Sequence, residues 1–249
     1  MVKENSAGGA GGALYFSTAN YGVGLQDTIF ENNQAEEKNG GAVFLASGNG
    51  KGLYVVDNNI NIQNCAFKNN SAYSGGGIAV FYENNFTLSH CIFEMNYASQ
   101  FGAGVYLDEA NIVSFDNVDL TGNKAFSGGG VYSALSNTIT MTFVNFYCNE
   151  AFLFGGALVS LNLTVINVRS VVFDGNKASV GGGIFLRGTY LWDLQAGFRI
   201  DFIKNSALFG SAFSVADLKS SLVVPSLKLH DIIFQNNTAM KGGTVYWIK

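Results

Sequence analysis

An all-β solenoid, a right-handed single-stranded parallel β-helix of about nine coils with three strands per coil, is the fold class that this 249-residue chain predicts. Three observations carry that expectation. A unit recurs nine times in which a phenylalanine position is followed by Asn three residues on, by Ala two later, and then by Gly-Gly or Gly-Gly-Gly opening an apolar run. The anchors are Asn5, Asn33, Asn70, Asn96, Asn123, Asn149, Asn176, Asn205 and Asn237, spaced 26 to 37 residues apart. No unit holds ten residues of helix period, and glycines stand where a helix needs strong helix formers. Short apolar runs bounded by Gly and Asn read as strands instead.

The elements follow in order along one coil. Five and seven residues before the phenylalanine position stand apolar pairs such as Phe115 and Val113, or Met141 and Ile139, which alternate as an inward-facing strand does. Three before it come Asp27, Asn64, His90, Asn117, Ser170, Arg199 and Asp231, turn residues that mark a corner. A second strand then carries Cys65, Cys91, Val118, Val144 and Val171 two before the phenylalanine position, and Phe67, Phe93, Leu120, Phe146 and Phe173 at it. The anchor Asn is expected to build a corner, since Asn tolerates positive φ and its amide can bond the amide of the next coil. After the glycines a third strand holds Val43, Ile78, Val105, Val131, Leu158, Ile184, Phe213 and Val245 inward. Only the Asn205 unit breaks the first of these strands. A coil cannot bury its inner face alone, so each must cover the last.

Composition fits a packed rod and excludes some functions. Apolar residues make up 48% and charged residues 13%, too apolar for disorder. The net charge of −4 offers no basic surface for nucleic acid. The single proline, Pro225, falls in a long insertion. Three cysteines are present; Cys65 and Cys91 share a column of adjacent units and read as two buried thiols or a bridge, with the odd total against a disulfide framework. Sequons at Asn69, Asn85, Asn162 and Asn236 are no more than chance supplies in so Asn-rich a chain. The whole of 1–249 is one β-helix domain on this reading. Both ends stop in mid-pattern without polar caps, so a piece of a longer protein is expected.

The pairs Phe30/Asn33, Phe67/Asn70, Phe93/Asn96, Phe146/Asn149, Phe173/Asn176, Phe202/Asn205 and Phe234/Asn237, with Gly-Gly-Ala at Gly40 to Ala42 and Gly155 to Ala157, resemble the repeat of the chlamydial polymorphic membrane proteins. The Asn-Cys-x-Phe run at Asn64 to Phe67 is similar to that family too. The resemblance implies a secreted, surface-exposed adhesin of the autotransporter class. It implies no catalytic residue, cofactor or metal. The chain departs from the family in lacking a translocating barrel and in often replacing Gly-Gly-Ala by Gly-Gly-Gly.

Parallel β-helices also cleave acidic polysaccharides, work that needs carboxylates clustered on neighbouring coils. Asp116 with Asp119, Asp174 with Arg169, and Asp201 with Arg199 are the nearest candidates, and none shares a column with an acid one coil away. His90 and His230 lie in distant coils and cannot share a metal. Two surfaces remain for binding. One is the outward column of the third strand, Phe44, Tyr106, Tyr132, Phe185 and Tyr246, which could stack on sugars or anchor a protein, or could simply cover the sheet. The other is the set of insertions 46–59, 187–196 and 214–226, which bring Tyr54, Tyr190 and Trp192. The expected function is a non-catalytic adhesive or structural module, extracellular or at the cell surface. It would contact a protein or glycan there or in an assembly, bind no nucleic acid, and meet a membrane only through parts of the parent protein outside this sequence. A polysaccharide lyase-like, hydrolase-like or carbohydrate-binding β-helix, and a scaffold subunit of a larger assembly, are the alternatives.

Overall fold

The structure is a computed structural model that describes residues 1–16, 23–46, 58–82, 84–162, 164–188, 191–194, 199–216, 226–227 and 231–248. Its described strands form three parallel sheets, one of fourteen strands and two of nine, in which each strand pairs with its equivalent one repeat away. This is the parallel β-helix that the repeat predicts, with three sheets around one core.

The make-up of the sheets differs from expectation in one respect. The strands on either side of the first corner belong to one sheet, and in three coils they run through it unbroken as Ile112–Thr121, Thr138–Tyr147 and Val165–Asp174. Inward positions seven, five, two and zero before the phenylalanine change phase by an odd step. One residue must therefore drop out of the alternation, as in a bulge. That residue is Asn117, Phe143 or Ser170, left-handed at φ 55°, 54° and 53°, and the pairing register passes over it from Asp116↔Thr142 to Val118↔Val144. With that as the first sheet, the second is built from short runs after the anchor Asn, such as Ser71–Ser74, Lys124–Ser127 and Lys177–Val180, and the third from the strands after the glycines, such as Ile78–Phe81 and Ile184–Arg187. The sequence reading passed over the runs of the second sheet because each turns no more than one apolar side chain inward, a small alanine such as Ala98, Ala125 or Ala151, with serines such as Ser74 and Ser127 at the next inward position.

The anchor asparagines form a continuous ladder from Asn5 to Asn237, buried from Asn33 to Asn205. Asn123 shows the pattern: its Nδ2 donates to the Phe93 carbonyl one coil back (3.0 Å) and to Asn149 Oδ1 one coil forward (2.9 Å). Its Oδ1 accepts from both the backbone N–H and the Nδ2 of Asn96. Each amide thus ties three successive coils and closes the backbone at a point where the strands leave off. The anchors themselves are not the left-handed residues. That conformation falls on the residue before each of them: Met95, Gly122, Cys148 and Gly175 in successive coils. The ladder, rather than tolerance of positive φ, is what selects Asn there.

A second ladder went unread in the sequence. Asn84, Asn111 and Asn137, nine residues before the phenylalanine position, are buried and chained by amide bonds of the same kind, and Thr164 takes the next rung. Its signal was present as an Asn recurring at one offset.

Inside, the phenylalanines stack face to face along the axis. Phe30–Phe67, Phe67–Phe93, Phe146–Phe173 and Phe173–Phe202 have centroids 4.7 to 5.1 Å apart and planes within 9°. This is the strand spacing of a parallel sheet transmitted to side chains. Leu120 interrupts the column between Phe93 and Phe146.

The glycine cluster divides its work. Gly155 is left-handed (φ 55°), whereas Gly156 needs the absence of a side chain, because a Cβ there would collide with the Gly182 carbonyl of the next coil. Gly156→Ala should therefore lower stability by more than about 1 kcal/mol, read as a fall in the midpoint of thermal unfolding; an unchanged midpoint would contradict so close a stacking.

The Asn205 unit does not lack its first strand. Leu191–Leu194 supplies it, displaced three residues upstream, and pairs Val165↔Leu191, Ile166↔Trp192 and Val168↔Leu194. Trp192, expected in a projecting loop, therefore sits at a strand position in the column of buried Ile166. The insertion falls between this strand and the corner rather than before it.

Candidate functional site

The aromatic column of the third sheet is in register as expected, but it is not an open face. Phe44 and Phe185 are buried, 8% and 4% exposed, and Tyr106, Tyr132 and Tyr246 are partly buried. Rings from neighbouring positions pack against them. Phe81 packs on Phe44 (5.1 Å) and Tyr106 (5.3 Å), Phe101 on Tyr132 (4.5 Å), Phe154 on Phe185 (4.3 Å) and Phe209 on Tyr246 (5.3 Å). Burial, with Asp108 beside it, pushes the Tyr106 phenol above its usual range; its hydroxyl lies 3.3 Å from Asp108 Oδ1 and donates to it. The column is thus an outer core. Phe101, Phe154 and Phe209 each immediately precede the first glycine of their cluster, a pattern visible in the sequence once its purpose is known. Tyr54 and Tyr190 lie outside the described residues.

The open apolar face is elsewhere, on the second sheet. One residue on from Ala72, Ala125, Ala151, Ala207 and Ala239, the strands turn Tyr73, Phe126, Phe152, Leu208 and Met240 outward, all exposed, with Tyr97 beside them. Phe152 is 72% exposed and stacks on Phe126 at 5.5 Å. Between Phe152, Ser179, Leu208 and Met240 the face dips into a groove of about 430 Å³. Ser179 makes the dip by standing where its neighbours carry large side chains. The pair Lys124–Glu150 (3.3 Å) borders this row. Sequence reasoning missed these residues because it assigned no strand there.

The carboxylates are dispersed. Asp119 accepts from Asn145 Nδ2 (2.8 Å), and Asp201 pairs with Arg199 (2.8 Å). Asp119 and Asp201 do share a column, but Asn145 and Val172 stand between them. Three strand spacings separate the two acids by about 14 Å, beyond the roughly 5–9.5 Å at which a carboxylate pair works on a glycosidic bond. Among the described residues no three of His, Cys, Asp and Glu cluster as metal ligands. His90 occupies a left-handed corner, and His230 lies outside the described residues.

The cysteines are unbridged. Cys65 and Cys91 are buried, and Cys148 is exposed. Desolvation raises both buried thiols, Cys91 to about 12. Their thiol form is the one that packs, so it persists through the neutral range. A thiol reagent at pH 8 should label Cys148 alone in the native protein and all three cysteines after denaturation; native labelling of Cys91 would contradict its burial.

Comparison with known proteins adds two family matches. The right-handed β-helix region matches residues 43–192, more than half the chain. The Chlamydia polymorphic membrane protein repeat matches residues 27–55, one of the units recognised above. No curated protein and no solved structure matches. With its ladder, stacked core and repeat accounted for coil by coil, the chain belongs to the right-handed β-helix family and carries a repeat of the polymorphic membrane protein type.

Proposed function

We propose that this β-helix is a non-catalytic adhesive module displayed at a cell surface. The exposed row on the second sheet carries the reading: large apolar side chains held in register on a stiff sheet form the kind of patch that marks a contact surface. Aromatic anchors beside a groove are what a macromolecular partner uses best. The polymorphic membrane protein repeat supports a surface location. The dispersal of the acids supports the absence of catalysis. The insertions with Tyr54 and Tyr190 belong to the same proposal, since loops on a rigid scaffold commonly carry recognition.

The test is adhesion of the purified protein to cultured cells, compared with Phe152→Asp. That side chain is exposed, so folding should persist while bound protein falls at least about tenfold, the effect of losing a 1.4 kcal/mol contact. Equal adhesion by the variant would remove the second sheet from the contact. Absence of adhesion by the wild-type protein, or polysaccharide cleavage by it, would overturn the module's assignment.

A further inference from the structure

The outer face of the second sheet is built from two columns on either side of the inward alanines. Before the alanine stand Lys124, Glu150, Lys177, Ser206 and Thr238 in successive coils. After it stand Phe126, Phe152, Ser179, Leu208 and Met240. The strands stack in register, so one coil advances each column by about 4.8 Å. The dip at Ser179 has an apolar character, because the serine hydroxyl donates to the Phe152 carbonyl at 2.6 Å and does not point a free donor into the groove.

The order of these residues is complementary to its own reverse. Consider a second copy turned by half a revolution about an axis that runs along the strands, midway between the coils of Phe152 and Ser179, and laid face to face on the first. Position along the strand is preserved and the order of coils is reversed, as in any isologous contact. Phe152 of each copy then stands over Ser179 of the other, a large ring over the dip. Phe126 meets Leu208, and Met240 meets Ser99 at the bulge between Ala98 and Phe101. In the other column Glu150 of each copy faces Lys177 of the other, so an opposite charge lies on each side of the axis.

Other arrangements fail on the same residues. Shifting the axis by half a coil sets Glu150 against Glu150 or Lys177 against Lys177, and like charges pressed together are costly. Shifting it by a whole coil leaves the dip facing Ser99, or sets Glu150 and Lys177 against Thr238 and Ser206. Pairing the two copies parallel lays the charged column on the apolar one.

We propose that the second sheet binds a second copy of this chain in this antiparallel register, with Phe152 and Ser179 as knob and hole and Glu150 and Lys177 as ion pairs across the axis. The proposal rests on the reading of this row as the contact surface and supplies its partner; rods displayed on two facing cells meet antiparallel. The six coils from Tyr97 to Met240 make a face about 29 Å long and about 13 Å wide. That is at the small end of specific interfaces, so monomer and dimer exchange with concentration.

The experiment is sedimentation equilibrium of the folded protein over a concentration series. Wild-type protein should follow a monomer–dimer equilibrium. Phe152→Asp, Glu150→Lys and Lys177→Glu, each shown to be folded by its thermal unfolding, should weaken the dimer at least tenfold. An equimolar mixture of Glu150→Lys with Lys177→Glu should regain that tenfold, because both charge contacts are opposite again in the mixed dimer; a register that does not bring the two residues face to face gives no such recovery. Monomer at every concentration, a dimer untouched by Phe152→Asp, or a mixture no stronger than its components would overturn the proposal. Cell adhesion by a protein that stays monomeric would overturn it too, while leaving the surface-module reading with a different partner. A dimer that shows recovery on mixing, from protein that adheres to no cell, would uphold the proposal and remove that reading instead.

Discussion

Asn123→Ala should destabilise the protein by about 3–5 kcal/mol, although it removes only a short polar side chain. Asn123 is fully buried, and its amide takes part in four hydrogen bonds that span three coils. Alanine leaves the Asn96 backbone N–H, the Asn96 amide and the Phe93 carbonyl short of partners in a site closed to water. Each such group costs about 1–3 kcal/mol. Asn123→Asp is the sharper comparison, because it keeps the acceptor and loses both donors while placing a charge against the Phe93 carbonyl and Asn149 Oδ1. It should be at least as damaging as alanine at pH 7. Chemical denaturation of the two variants checks this. A loss under about 0.5 kcal/mol, typical of an exposed site, would mean that water replaces the ladder and that the asparagines recur for another reason.

Phe146→Ala should cost a similar amount, about 3–5 kcal/mol, by a different route. Its ring is fully buried, stacks on Phe173 at 4.9 Å, and lies so close to Gly130 that a Cβ there would come within 2.9 Å of it. The neighbouring coils are held at strand spacing by their own hydrogen bonds and cannot close over the void. Lys124→Ala is the control: Lys124 is exposed, its ion pair with Glu150 is open to solvent, and the cost should stay below about 0.5 kcal/mol. At roughly 2–4 °C per kcal/mol for a chain of this size, the core variant should melt about 6–20 °C lower and the control within about 2 °C of wild type. Equal midpoints would show that the phenylalanine column bears no load.

The coil itself was legible in the sequence. Phe-x-x-Asn and the glycine cluster recur because each coil repeats the same contacts with the coil before it, so one local error would appear at every turn. The inward columns at Phe115, Phe146 and Ile184, the corner at Asn117 and Ser170, and the Asn123–Asn149 pairing are read from spacing alone for that reason. What covers the outside of the coil recurs in only some coils, as with Phe101, Phe154 and Phe209, and which face it closes was decided only by the tertiary structure. Alternation places Tyr106 and Phe185 outward, but Phe81 and Phe154, from other positions in the coil, bury that face. The run Lys124–Ser127 gives too short a pattern to be seen as a strand, yet the parallel ladder makes it one and turns Phe126 to solvent. Trp192 changed from loop to strand because the ladder offered by Val165–Asp174 captures whatever segment keeps its hydrogen bonds, three residues out of phase with the repeat. Period identifies which side chains face the axis, since the axis is shared by every coil; exposure on the other side depends on contacts between side chains of different columns, whose size changes from coil to coil.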